Sequence, residues 1–317
     1  MNDVKEIQEA RERIRPHVRR TPLLRTDLDD RLRLKAECFQ LTGSFKARGA
    51  FNAVLAKRAA DPSMKGVIAV SSGNHAQALA LAARSAGLKA VIIIPADANP
   101  EKVQHTRDFG AHVIQDGVTF ANREQRLREE MEGSGLVLVH PFNDWDVIHG
   151  QGTVAMEMLD DDPAIEMIVT PCGGGGLLSG TALWTKHAKP GSKVIGVEPA
   201  AADDASRSLH SGRLVRLDDS PVTLADGVRA LSMLDKTFEV IVTRGLVDDI
   251  VTVTEDEIAE AVRVAWFRLH LALEPTGALP LAAFLAGKLP AAPSVIGLVM
   301  TGGNADRAVV SRLLAST

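Results

Sequence analysis

The chain has 317 residues, 45% of them hydrophobic and 24% charged, with a formal net charge of −4. That balance excludes a disordered chain and a small disulfide scaffold, and it argues against a broad basic face for nucleic acid. No apolar run reaches the ~18 residues a membrane span needs, the absence of tyrosine removes any tyrosine acid or nucleophile, and two cysteines are too few for a Cys-rich zinc site. The length suits two domains. The first twenty residues read as a charged helix rather than a signal peptide. A cytoplasmic protein with Cys38 and Cys172 as reduced thiols is therefore expected. From residue 66, short apolar runs alternate with helical stretches. Val67–Val70 predicts a strand, His75–Ala86 a helix, Ala90–Ile94 a strand and Pro100–Phe109 a helix. A strand follows at Val113–Gln115, a charged helix at Arg123–Met131 and a strand at Leu136–His140. The order repeats with a helix at Gly152–Leu159, a strand at Ile165–Thr170, a helix at Leu177–His187 and a strand at Val194–Val197. Residues 201–250 give no clear pattern. Thr254 predicts the cap of an amphipathic helix over Glu255–Leu271. Helices at Gly277–Ala286 and Ala305–Leu314 then flank a strand at Val295–Met300. This order predicts an α/β fold of mostly parallel sheets covered by helices, with ligands beyond the carboxyl ends of the strands.

Four junctions carry chemistry. Gly173–Gly176 follow a strand and open a helix, so bare backbone and a helix start can bring several N–H groups to one anion. A tight turn is the plainer reading of the run, although one glycine suffices for that. Neither G-x-G-x-x-G nor Gly-Lys-Ser/Thr is present, so a dinucleotide or a P-loop nucleotide is not indicated. Ser71-Ser72-Gly73-Asn74-His75 offers hydroxyls, an amide and a helix start, suited to a carboxylate or simply to N-capping. Ser44-Phe45-Lys46 places a lysine at a helix start. Thr301-Gly302-Gly303-Asn304 follows the last strand as a ligand loop or a turn.

With Leu41–Ala50 and Gly150–Thr153, these segments run in the order seen in the serine/threonine dehydratases and serine racemases. These are pyridoxal-phosphate (PLP) enzymes of the tryptophan-synthase-β fold type, and the chain resembles them from about residue 15 onward. The resemblance implies two lobes, a large PLP-binding domain of residues 1–65 and 144–317 and a small mobile domain of residues 66–143. It also implies roles. Lys46 would carry PLP covalently, and Phe45 would pack on its ring. Asn74 would meet its 3-hydroxyl, and Gly173, Gly174, Gly175, Gly176 and Leu177 would hold its phosphate. Gly227 and Glu274 would line its pocket, Glu274 having a surface helix-end position as its alternative. Ser71, Ser72, Asn74 and His75 would hold the substrate carboxylate. Thr301 departs from the Ser or Cys usual in the family but keeps a hydroxyl for the pyridine nitrogen. A hydroxyl cannot force a proton onto that nitrogen, which favours β-elimination or reprotonation over transamination.

The segment Glu198-Pro199-Ala200-Ala201-Ala202-Asp203-Asp204 resembles the divalent-metal site of the racemase branch. Glu198, the Ala202 carbonyl and Asp204 would be oxygen ligands for Mg²⁺, Mn²⁺ or Ca²⁺. A solvated acidic loop is the alternative. His105, His112 and His210 have no ligand spacing and read as surface residues.

The expected protein is a homodimeric ammonia-lyase acting on L-serine, L-threonine or a related β-hydroxy amino acid. It has no nucleic-acid or membrane partner, and no isoleucine-sensed regulatory domain is expected. Racemisation, with Ser72 as a second acid–base group opposite Lys46, is one alternative. Another β-hydroxy substrate, such as 3-hydroxyaspartate or a β-aryl serine, is the other; Trp145 could reshape the pocket rim for it or simply pack. An inactive PLP-binding protein is disfavoured because Lys46 and the glycine run are intact.

Overall fold

The computed structural model describes residues 2–291 and 294–315. Ten strands form two sheets: β1 (Leu23–Leu24), β2 (Leu32–Lys35), β3 (Gly66–Val70), β4 (Lys89–Ile93), β5 (His112–Ile114), β6 (Leu136–Leu138), β7 (Met167–Pro171), β8 (Lys193–Pro199), β9 (Asp249–Val253) and β10 (Ile296–Val299). The six-stranded sheet runs β1-β2-β10-β7-β8-β9 and the four-stranded sheet β5-β4-β3-β6. All pairs are parallel except β1 with β2. Twelve helices accompany them among the described residues: α1 (Asp3–Ile14), α2 (Lys46–Ala60), α3 (Asn74–Ser85), α4 (Pro100–Asp108), α5 (Arg123–Met131), α6 (Trp145–Asp161), α7 (Gly176–Ala188), α8 (Asp204–Ser211), α9 (Asp235–Phe238), α10 (Glu255–Phe267), α11 (Pro275–Leu285) and α12 (Arg307–Ala315). None is long and apolar enough to cross a membrane.

The α/β class expected from the alternating pattern is the one found. β-Branched runs such as Val67-Ile68 and Val91-Ile92-Ile93 are buried because helices cover both faces of a parallel sheet. Thr254 and Glu257 close a capping box at the start of α10. Two expectations shift. The helix predicted from Gly152 begins at Trp145, because Asp144 accepts the Asp146 N–H at 2.9 Å and caps it seven residues earlier. Glycines inside that stretch hid it; Gly150 lies where α2 approaches so closely that a Cβ would meet the Arg48 carbonyl at 2.7 Å. The unclear stretch 201–250 holds α8, α9, a π-helical turn over Glu239–Thr243 and β9. Short elements of mixed period leave no regular apolar spacing.

Strand ends matter most. The carboxyl ends of β2 and β10 lead to residues 36–45 and 300–304, those of β3 and β6 to 71–73 and 139–144, and that of β7 to 172–175. Both sheets thus point these loops into one cleft.

Candidate active site

Lys46 is the first residue of α2, partly open to the cleft. Its Nζ donates to the Pro141 carbonyl at 2.8 Å and lies 5.2 Å from the centre of the Phe45 ring. Burial pushes its ammonium down to about 8, against the opposing charge of Glu274. The Phe45 N–H donates to the Thr301 carbonyl at 3.0 Å, so the lysine loop and the loop after β10 are stitched together. Beside this stitch the Thr301 and Ser44 hydroxyls are buried with no hydrogen-bond partner. Orphaned hydroxyls are costly unless a ligand completes them.

The glycine run opens α7, with Gly175 in the left-handed region (φ 85°) as its N-cap. A Cβ on Gly174 would fall 2.3 Å from the Phe142 ring, and one on Gly173 would fall 2.9 Å from Val228 Cα. The cradle therefore has walls that leave only backbone facing inward. Gly227, next to Val228, donates its N–H to Thr276 Oγ1 at 3.0 Å.

Asn74 starts α3. Its Nδ2 donates to Glu274 Oε1 at 2.7 Å, and its Oδ1 accepts from Asn304 Nδ2 at 2.7 Å. Asn304 also donates to the Thr42 carbonyl at 2.7 Å. Glu274 is 2% exposed, so its surface alternative does not hold; burial, with Asp226 adding to it, raises its carboxyl to about 7. Ser71 is half-buried, and Ser72 is exposed at the head of the same loop. His75 is buried, with Nε2 2.9 Å from the Val139 carbonyl, and burial holds its ring neutral by lowering it to about 3. Leu177 packs in the core under α7. Trp145 stacks on His149 at 5.7 Å rather than standing free at the rim.

Glu198, the last but one residue of β8, is fully buried, accepting the N–H groups of Ser206 at 2.8 Å and Ala205 at 3.3 Å. Asp204 is 1% exposed, and both its carboxylate oxygens lack a partner. Burial raises both acids, Asp204 to about 7. No three His, Cys, Asp or Glu side chains converge on a metal position among the described residues. His105 and His112 are exposed, and exposed His210 pairs with Asp249 at 3.2 Å.

Sequence reasoning missed His140, Pro141 and Phe142, and it placed Asn304 in a ligand loop or turn without giving it a role. The signal for the first three was their place just past the carboxyl end of a parallel strand.

Residues 14–302 match the family of pyridoxal-phosphate dependent enzymes. The chain is 43% identical to a serine racemase of Arabidopsis thaliana over 96% of this chain and 93% of the relative. It is 40% identical to an L-threo-3-hydroxyaspartate ammonia-lyase of Saccharomyces cerevisiae, over 95% and 93%. Among solved structures it resembles a T.th. threonine deaminase, with 46% identity, a TM-score of 0.90 and coverage of 96% and 98%.

Proposed function

We propose, since the chain belongs to the pyridoxal-phosphate dependent enzymes, that it is an ammonia-lyase of β-hydroxy amino acids, with L-serine and L-threonine as default substrates. The residues present fit the cofactor. A partly buried amine of lowered pKa stands in the same cleft as a helix start of four glycines that side chains wall in, and buried hydroxyls at Thr301 and Ser44 have no partner. In this reading Lys46 holds PLP covalently, Phe45 flanks its ring, and Gly173–Gly176 with Leu177 hold its phosphate. Asn74 would meet its 3-hydroxyl and Thr301 its pyridine nitrogen, and Gly227 and Glu274 would line the pocket. When bound, PLP supplies an electron sink that acidifies Cα–H of an amino acid.

The chain's own groups do the rest. Ser71, Ser72, Asn74 and the N–H groups at the start of α3 bind the substrate carboxylate, with His75 beneath them fixing the loop to the end of β6. Lys46, neutral in a useful fraction because of its burial, takes the Cα proton. Loss of the β-hydroxyl as water and hydrolysis of the released enamine give a 2-keto acid and ammonia. Thr301 offers the pyridine nitrogen a neutral hydroxyl that would not keep a proton on it, which disfavours transamination. The observation that carries this reading is the Lys46 amine set in the same cleft as the glycine cradle. The test is keto-acid and ammonia release over a panel of β-hydroxy amino acids, with chiral analysis of what remains. No turnover of any of them would overturn it.

Ser72 favours a second activity. It is exposed at the loop head, and relatives of this chain include serine racemases. Racemisation needs an acid–base group on each face of Cα. Ser72→Ala should suppress D-serine formation while sparing most L-serine elimination; equal losses in both would mean that Ser72 only holds the carboxylate.

We also propose a divalent cation bound by Glu198, the Ala202 carbonyl and Asp204 with water. The support is two adjacent buried acids, one with both oxygens free of hydrogen bonds. A homodimer is proposed as well; exposed Trp266 and Phe267 at the end of α10 are apolar surface a partner could cover. We take residues 66–143, built on the four-stranded sheet, as a unit that moves to admit substrate, because polar bridges such as Asn99–Asp306 and Lys102–Asp226 cross to the larger part.

A further inference from the structure

His140 has no part in the chemistry above, yet the segment containing it touches the Asn74 helix, Lys46 and the glycine run. Val139 offers its carbonyl to His75, whose helix begins with Asn74. Pro141 offers its carbonyl to Lys46. The Phe142 ring fills the space in front of Gly174, and the Phe142 backbone crowds Gly176. Asn143 donates to Asp235 at 2.6 Å and accepts the Lys236 N–H at 3.0 Å. What bends this segment is the His140 imidazole. Its Nδ1 accepts the N–H of Asn143 at 2.9 Å and that of Phe142 at 3.4 Å. Main-chain N–H groups can only donate, so Nδ1 carries no proton and Nε2 does. The ring also meets Phe142 edge-on, with centroids 4.6 Å apart.

We propose that His140 is a positioning residue: by accepting two N–H groups at Nδ1 it folds the 140–143 turn that holds the Lys46 acceptor on one side and the Phe142 wall of the glycine cradle on the other. The inference rests on the reading of Lys46 and the cradle as the PLP site. Protonating Nδ1 would replace two accepted hydrogen bonds with N–H···H–N repulsion. The surroundings oppose that proton: His140 is held well below its ordinary value, near 4, by burial and by the Lys46 and Lys236 cations, with only Asp235 acting the other way. His75 on α3, whose Nε2 meets the adjoining Val139 carbonyl, is itself neutral.

Two variants separate positioning from packing. Asparagine places Oδ1 where histidine has Nδ1 and can accept the same N–H groups; leucine fills similar space and accepts nothing. The holoenzymes are compared by PLP retained on gel filtration, by Kd for PLP from visible absorbance, and by kcat and KM for L-serine. We expect His140→Leu to raise Kd for PLP about 10–100-fold and to lower kcat with little change in KM, the loss of one or two buried acceptors. His140→Asn should bring Kd back to within about threefold of the parent, well short of the loss in His140→Leu. Equal damage in both variants, or none in His140→Leu, overturns the inference. Should the leucine variant fail to fold, nitrogen NMR of the parent holoenzyme decides, with the His140 signal identified by its loss in His140→Asn. A ring bearing its proton on Nε2 down to pH ~5 supports the inference, and one titrating near the ordinary ~6.5 overturns it. A parent protein that retains no PLP would instead defeat the cofactor reading.

Discussion

Lys46 shows how one residue takes its chemistry from its place in the fold. At the start of α2 it sits at the positive end of a helix and out of bulk water, and burial lowers its ammonium to about 8. Because the neutral amine is the nucleophile, covalent capture of PLP by the stripped protein should speed up as pH rises through about 8 and then level off. A solvated lysine would keep gaining until ~10.4. Stopped-flow absorbance across this range checks it. Lys46→Ala should lose the visible absorbance of attached PLP and at least ~10³-fold of elimination activity, since anchor and base go together.

Among the elements, the geometry of the cradle lies in the meeting of α7 with the 140–143 turn. A methyl group on Gly174 would overlap the Phe142 ring at 2.3 Å, a distance no real Cβ contact tolerates. Gly174→Ala should therefore displace the ring and raise Kd for PLP about 10-fold or more, with little loss of melting temperature, since the ring borders a cleft rather than a core. Kd by titration and thermal melting of the same sample read both effects. Beneath α2 a different packing problem is solved with charge. Arg48, fully buried, bonds Glu37 at 2.8 and 2.9 Å and Glu157 at 2.8 Å, while Lys35 donates to Glu157 at 2.7 Å. Two cations face two anions, so the cluster is neutral, but removing one member strands buried charge. Arg48→Met should destabilise by about 3–5 kcal/mol in urea unfolding, against the ~1 kcal/mol or less of an exposed pair. A loss in that lower range would mean water reaches the cluster.

Over the whole molecule, the acidic pair near the end of β8 couples stability to pH. Burial raises Asp204 from 3.8 to about 7 and raises Glu198 as well. The folded metal-free protein therefore holds protons that the unfolded chain releases. Its stability is fullest below about pH 4 for these groups and falls as pH rises towards 7. A bound divalent cation would remove that loss and add stability by mass action. Chelator should then lower the melting temperature by about 2–3 °C at pH 8, roughly one to two kcal/mol for a chain this size. At pH 5 the chelator effect should shrink. Glu198 and Asp204 are buried, so the solvated-loop alternative does not hold; an identical melting curve with and without chelator at pH 8, unchanged again in Glu198→Gln, would leave them as buried acids that hold no cation.

The α/β class is legible in the order of residues, because strands buried on both faces and helices buried on one stripe leave different apolar spacings. So are the glycine run, the lysine at a helix start and the Ser-Ser-Gly-Asn-His loop, since each departs locally from what a strand-to-helix turn requires. Chain order could not show that Glu274 is buried against Asn74, residues 200 positions apart, or that Asn304 bridges Asn74 and Thr42. Nor could it show the role of the His140 turn, whose acceptor is a side chain and whose donors are featureless backbone. Burial, proton affinity and hydrogen-bond partnership depend on what the folded chain brings alongside a residue, and distant segments meet only once the two sheets are packed together.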